Sequence, residues 1–257
     1  MTEEYFLRGP GRGVPKRVQI LSTTRQGGVS TGPFESLNLG FHVGDQGAAV
    51  KENRRRFREE AGGEVLLAWL EQVHGRGVLR AEDVVSRETA ASADGSVSKT
   101  PGVAAVVMTA DCLPLVFWDQ EATVVGAAHA GWRGLAAGVL EATVEAMEVE
   151  PEKVSAWMGP AIGADSFEVG SEVREVFLKS NGKGEALASC FRPSPWNPRD
   201  RWVADLYGLA KLRLQGLGVR EISGGEACTY REKRFFSYRR DGLTGRMATA
   251  IWLLPSI

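Results

Sequence analysis

The stretch VAAVVMTADCLPLVFWDQEATVVGAAHAGWRG, residues 103–134, decides the fold class. Val103–Thr109 is an unbroken apolar run rich in β-branched residues, the pattern of a strand covered on both faces. Residues 113–118 and 123–129 are two further apolar runs, and Asp119-Gln120-Glu121 supplies a polar turn between them. Directly afterwards Leu135, Val139, Leu140, Val144 and Met147 recur at helical spacing, which predicts an amphipathic helix over 135–147. A buried strand, a hairpin and then a helix predict an α+β or mixed α/β domain rather than a regular doubly wound one.

The same reading extends to both ends. Strands are expected at 17–24, 64–70, 77–84, 153–158, 220–223 and 248–254. A polar helix is expected over 48–61, stopped by Gly62-Gly63. Another covers 171–180, with Ser171 as N-cap and Gly182 beyond its end, and a third covers 205–217. Residues 1–16 read as a loose arm, leaving 17–257 as one domain. Residues 25–47, rich in Gly, Ser and Asn, form a loop long enough to suggest function. Residues 181–201 carry Pro193, Pro195 and Pro198 and read as a surface loop rather than a domain boundary.

Composition excludes several classes. The 257 residues are 43% hydrophobic with a net charge of −1, so disorder is not expected. Thirty-one basic residues meet 32 acidic ones, which argues against a general nucleic-acid binder. Cys112, Cys190 and Cys228 form no C-x-x-C pair, which removes ribbon zinc sites, thioredoxin-like sites and a disulfide framework. The N-terminus lacks an apolar signal core, and the apolar run 103–118 is broken by Asp111 and Pro114. The expectation is a cytoplasmic protein with no membrane partner. Histidine is limited to His42, His74 and His129, so chemistry needing many imidazoles is excluded.

Reactive side chains concentrate at three expected strand ends, the first and last beside glycine: QVHG at 72–75, TADC at 109–112 and HAGWRG at 129–134. Three readings stay open. His74, Cys112 and His129 match the three-ligand pattern of a catalytic zinc with an open fourth position. Cys112 and His129 equally match a thiolate nucleophile and its base. The same residues also suit a buried thiol among hydrogen-bonded imidazoles. Arg133 opens the predicted helix, where a phosphate or carboxylate would be favoured, or it forms a surface salt bridge. Residues 25–45 (RQGGVSTGPFESLNLGFHVGD) are neither a dinucleotide fingerprint nor a P-loop, yet carry Asn38, His42 and Asp45. Residues 235–241 (FFSYRRD) alternate aromatics and cations, as a base-stacking, anion-binding segment or as a charged edge strand.

Taken together, TRQGGVSTGPFESLNLGFHVGD at 24–45, ENR at 52–54, QVHG, TADCLP at 109–114, HAGWRG, GPAIG at 159–163, FEVG at 167–170 and FFSYRRDGLTGR at 235–246 carry a resemblance. The chain resembles the YfiH, or laccase-domain, family of purine nucleoside phosphorylases, also labelled polyphenol oxidases and peptidoglycan-editing factors. The resemblance implies a layered α/β/β/α mixed β-sandwich, similar to that of cytotoxic necrotizing factor deamidases. It implies one zinc on His74, Cys112 and His129, with copper as a possible substitute. It implies phosphorolysis of adenosine, inosine, guanosine and S-methyl-5′-thioadenosine with phosphate, and deamination of adenosine. Asn38, His42, Arg54, Asp111, Arg133 and Arg240 are then candidates for substrate and phosphate binding. Of these, Arg133, Arg54 and Arg240 are candidates for phosphate, and Asp111 or His42 for protonating the leaving base or orienting the metal ligands. Two alternatives remain: a metal-free Cys-His hydrolase and a factor that maintains cell-wall precursor composition. Three histidines are too few for a multicopper oxidase centre.

Overall fold

Every residue of the strand Val103–Thr109 is buried, and its side chains divide by parity. Ala104, Val106 and Met108 pack with Phe57 from the helix Gly47–Glu60. Ala105 and Val107 face the other way, onto Val116, Trp118, Val125 and Ala127. The strand therefore lies between a helix and a second sheet, which explains its unbroken apolar sequence. The computed structural model describes residues 5–87, 89, 91–179, 184–197 and 199–255.

The first sheet runs in the order Phe6–Leu7, Val18–Thr23, Met247–Leu253, Val103–Thr109, Leu66–Ala68. Its pairs are antiparallel except the last. The second runs Glu221–Gly224, Val154–Met158, Leu113–Asp119, Val125–Ala130, Gly95–Ser98, Val78–Arg80. It is antiparallel in the middle and parallel at both edges. On its far face Leu113, Leu115 and Phe117 pack against Leu135, Leu140, Leu206 and Leu214. These come from the helices Trp132–Ala137, Val139–Ala146 and Leu206–Leu217. The order helix, sheet, sheet, helices is the mixed α/β sandwich expected. No helix among the described residues is long and apolar enough to cross a membrane.

Several elements differ from their sequence reading. The helix expected over 135–147 is two helices, starting at Trp132 and broken at Gly138, whose φ is 96°. The Gly138 N–H closes the first helix onto the carbonyls of Gly134 and Leu135. The strand expected over 77–84 ends at Arg80 and becomes the helix Ala81–Val85. That turn is held from outside, because the Glu82 carboxylate accepts the N–H groups of Lys99 and Thr100. The strand expected over 64–70 splits into Leu66–Ala68 and Leu70–Glu71, which pair with different neighbours. Ser171 is the first helical residue, not the cap: Gly170 occupies the cap, and Ser171 Oγ accepts from the Trp202 indole. Within 181–201 the chain forms the helix Gly184–Ala188 and the strand Phe191–Pro193, which pairs with Arg201–Ala204. Gly182 and Pro198 lie outside the described residues. Phe6–Leu7 pairs with Val18–Thr23, so the N-terminal arm is tied to the sheet at that point.

Candidate metal centre and its cavity

His129 lies near the end of the strand Val125–Ala130, on the face turned between the sheets. Cys112 sits where the chain leaves the first sheet at Thr109 and enters the second at Leu113. His74 follows Leu70–Glu71 in a turn with φ of 59°. Asp111, just before the cysteine, has φ of 92°. Non-glycine residues in this region are uncommon and concentrate at sites where surrounding contacts enforce them.

Asp94, fully buried, supplies much of that enforcement. Its carboxylate accepts the backbone N–H groups of Val73, His74 and Gly75 at 3.2, 2.9 and 2.6 Å. It also bonds His129 Nδ1 at 2.8 Å. The Asp94 carbonyl accepts the His129 N–H at 2.7 Å. One side chain thus fixes the loop bearing one imidazole and the ring orientation of the other. With Nδ1 engaged, Nε2 is the nitrogen of His129 left for a ligand. Sequence reasoning passed over Asp94. Its only local mark is the Asp-Gly pair at 94–95, a turn signal, while its partners lie 19 to 35 residues away.

The structure brings His74, Cys112 and His129 together, with ligand atoms within 4.8 Å of one another. Cys112 Sγ lies 3.9 Å from His74 Nε2, and the two imidazoles meet edge to face at 4.8 Å between centroids. Burial opposes the charged forms of both Cys112 and His129. The imidazoles of His129 and His74 outweigh it and hold the thiol below its ordinary pKa. Cys112 and Asp94 outweigh it at His129 and hold that pKa up. A Cβ at Gly131 would fall 2.9 Å from Cys112 Sγ and 3.1 Å from His74 Cδ2. The glycine keeps the space between these ligand residues clear. Two imidazoles and an easily ionised thiol, held close, fit a divalent cation of borderline softness.

The cluster opens on a cavity of about 540 Å³. His42, Gln72, Tyr238 and Arg246 also line it. Burial, then Arg246 and Arg54, push the His42 pKa down. The Gln72 amide donates to the Met108 carbonyl at 2.8 Å and accepts the Met108 N–H at 2.7 Å, continuing the first sheet's edge with a side chain.

The remaining residues singled out in the sequence lie elsewhere. Asn38 is buried behind the cavity, bonding Gly40, Asp45 and the Arg246 N–H. Arg54 is stacked between Trp69 and Phe41 and donates to the Leu39 carbonyl. Asp111 accepts from Thr229 Oγ1 and the Arg239 N–H, both at 2.6 Å, and so anchors the C-terminal segment. Arg240 donates to the carbonyls of Thr229, Tyr230 and Phe235 and pairs with Asp241. Arg133 is exposed and stacked on Trp132, away from the cavity wall. The 235–241 segment is not an edge strand: Phe235 and Phe236 are buried, Tyr238–Asp241 is one helical turn capped by Ser237, and the exposed Tyr238 ring lines the cavity. Arg246, which lines the cavity, was not singled out as a site residue; it is the last residue of the 235–246 motif.

The family described as multi-copper polyphenol oxidoreductase laccase matches residues 19–254. The chain belongs to this laccase family. Its relatives include a protein named purine nucleoside phosphorylase YfiH from Escherichia coli, 50% identical over 243 residues, covering 93% of this chain and 96% of the relative. A purine nucleoside phosphorylase from Haemophilus influenzae is 43% identical over 244 residues, covering 95% and 97%. Among solved structures, Neisseria meningitidis protein NMB0706 superposes with a TM-score of 0.92 at 46% identity, covering 98% of this chain and all of its own. YlmD from Geobacillus stearothermophilus has a TM-score of 0.88 at 33% identity, covering 99% and 98%. The copper centres in the laccase family's description have no match in this chain's inventory. It has three histidines in all, and the described residues hold one three-ligand cluster.

Proposed function

We propose that this laccase-family chain is a zinc-dependent purine nucleoside phosphorylase that also deaminates adenosine. Its substrates on this reading are adenosine, inosine, guanosine and S-methyl-5′-thioadenosine, used with phosphate in the cytoplasm. The observation that carries the reading is the convergence of His74, Cys112 and His129 at a cavity of about 540 Å³, large enough for a nucleoside. The names of the relatives at 50% and 43% identity supply the substrate class.

His74, Cys112 and His129 would hold the ion, with copper as a substitute that ranks above zinc in affinity. When bound, zinc supplies Lewis acidity and activates water near neutral pH, as deamination at C6 of adenine requires. Asp94 holds the His129 tautomer and the His74 loop. Asp111 has both carboxylate oxygens engaged, so its part is to position the segment that brings Tyr238 to the cavity. His42, with its pKa pushed down, serves as a neutral imidazole at the wall.

The test is elemental analysis of protein purified without added metal, together with an adenosine assay with and without phosphate. About one zinc per chain is expected. Adenine release should need phosphate, inosine formation should not, and His74→Ala should abolish both. Absence of metal and of nucleoside turnover would reject the proposal.

One observation favours a second reading. Asp94, His129 and Cys112 are linked in order, carboxylate to imidazole to a thiol of lowered pKa, which is also how a cysteine hydrolase is arranged. A metal-free protein inactivated by thiol alkylation at Cys112, and indifferent to chelators, would select it.

A further inference from the structure

Arg246 lines the cavity and is desolvated enough that burial lowers its pKa. No carboxylate lies within salt-bridge distance of it among the described residues. Three other arginines set back from solvent are answered. Arg54 is stacked on two rings, Arg213 pairs with Glu141, and Arg240 with Asp241. Arg246 donates only through Nη1, to the carbonyls of Thr244 and Gly245 at 3.1 Å each. Nε and Nη2 have no hydrogen-bond partner among the described residues. Glu71, the carboxylate on the cavity wall, accepts instead from Ser92 Oγ at 3.0 Å. Arg246 is half-buried, so its two unpaired N–H-bearing nitrogens are free to meet a ligand in the cavity.

Its surroundings hold it in place. Asn38 Oδ1 accepts the N–H groups of both Gly40 and Arg246, at 3.0 and 2.9 Å. The Leu39 N–H donates to the Arg246 carbonyl at 3.0 Å. A Cβ at Gly40 would fall 2.9 Å from Arg246 Cγ and 3.3 Å from His42 Cε1. Only a residue without a side chain lets the arginine and the imidazole share this wall. Asn38 and His42, noted in the sequence for their polar chemistry, therefore act here: one beneath the arginine, the other beside it.

We infer that Arg246, flanked by His42 across Gly40, is an oxyanion subsite that takes inorganic phosphate. The inference rests on the phosphorylase reading and names the residue that binds the second substrate. A guanidinium fork offers two N–H groups to two phosphate oxygens, and a neutral imidazole adds one donor. In phosphorolysis a phosphate oxygen attacks the ribose anomeric carbon, the glycosidic C–N bond breaks, and the base leaves with that electron pair and takes up a proton. Arg246 holds the nucleophile on the cavity wall while its charge is spent. The same donors would suit the phosphate of a nucleotide, so the source has to be separated by experiment.

The experiment titrates inorganic phosphate and adenosine monophosphate into metal-replete protein and measures steady-state phosphorolysis of adenosine. Wild type, Arg246→Gln, Arg246→Lys and Gly40→Ala are compared, with circular dichroism as the fold control. Arg246→Gln is expected to raise Kd and KM for phosphate by roughly 10- to 100-fold, the range of charge-assisted hydrogen bonds. KM for adenosine should move by less than about 3-fold, and zinc content should not change. Arg246→Lys should recover part of the loss, since it keeps the charge but not the fork. If Arg246→Gln is unfolded, Gly40→Ala displaces the arginine without deleting it and should raise the phosphate KM in the same direction. Unchanged phosphate Kd and KM in a folded, active Arg246→Gln would overturn the subsite and leave the phosphorylase reading standing. Adenosine monophosphate bound at Arg246 in preference to free phosphate would also overturn it. A wild type that neither binds phosphate nor releases adenine would reject the phosphorylase reading and the subsite together.

Discussion

Asp94 has no solvent exposure and accepts hydrogen bonds from three consecutive backbone N–H groups and one imidazole. Burial alone would raise its pKa, but the donors from His129, Gly75 and His74 outweigh that and lower it. A carboxyl with a depressed folded pKa contributes stability that is present above its unfolded value and is lost as pH falls through the folded value. Asp94→Asn keeps the shape but removes the charge, and its NH₂ meets donors. We expect it to cost about 2–4 kcal/mol at neutral pH, the scale for a buried charged group losing its bonds. Urea titrations at several pH values would check this. The gap between wild type and variant should begin to narrow below about pH 4, where the unfolded chain's aspartate takes up its proton, and close as pH falls through the lower folded value. A gap independent of pH would mean that the charge is not what matters. The three metal-ligating candidates were legible because His and Cys are scarce and sat at expected strand ends, the two histidines in glycine-bearing motifs. Asp94 was not, because aspartate is common and nothing in ASADGSVS (residues 91–98) records what it faces. Arg54, Arg133 and Arg240 show the converse: an arginine in a motif announces charge, and only packing tells whether that charge is free.

Strands buried on both faces were the most legible elements, since continuous apolar runs such as Val103–Thr109 leave few other assignments. Short helices and splits were not, because tertiary contacts decide them. Glu82, bonded across to Lys99 and Thr100, turns an expected strand into a helix. The two glycines bracketing Trp132–Ala137 are required for different reasons within one element. Gly138 has φ of 96° and an open neighbourhood, its missing Cβ being 3.5 Å from Glu141 Oε2. Gly138→Ala should therefore destabilise by about 1–2 kcal/mol through backbone strain alone, despite alanine's better helix propensity. Gly131 has φ of −62° and ψ of 157°, which alanine adopts freely, but its Cβ would press on Cys112 Sγ and His74. Gly131→Ala should leave the thermal midpoint of the metal-free protein within about 2 °C while weakening zinc affinity by roughly 10- to 100-fold, the scale found when ligand support is disturbed. Competition with a chelator of known affinity measures the second quantity, and calorimetry the first. Equal effects of the two substitutions on both measurements would refute this division of roles.

The ligand candidates are spread over both sheets. His74 lies beyond the strands of the first sheet's edge, Cys112 on the crossing from Thr109 to Leu113, and His129 on a central strand of the second sheet. The two sheets are otherwise joined by the apolar contacts of Ala105, Val107, Ile251, Val116 and Val125, with a buried Ser22–Thr249 hydrogen bond of 2.8 Å on the same inner face. A cation on these residues would pin the sheets together at one end of the sandwich. The sequence could signal the ligand types but not this role, since separations of 38 and 17 residues acquire meaning only when the sheets stack. Binding to the folded state alone stabilises it by about 2.7 kcal/mol at a hundredfold excess over Kd. For a chain of this size that is a rise in the thermal midpoint of roughly 5–10 °C. Calorimetry of stripped protein with and without zinc should show that rise in wild type and none in His74→Ala or Cys112→Ser. Because His129 is buried against Asp94, His129→Ala should lower the midpoint of the stripped protein as well, whereas exposed His74→Ala should not. If zinc raised the midpoint of His74→Ala as much as that of wild type, the stabilising ion would be bound elsewhere, and the cluster would have to be read as the thiol–imidazole pair instead.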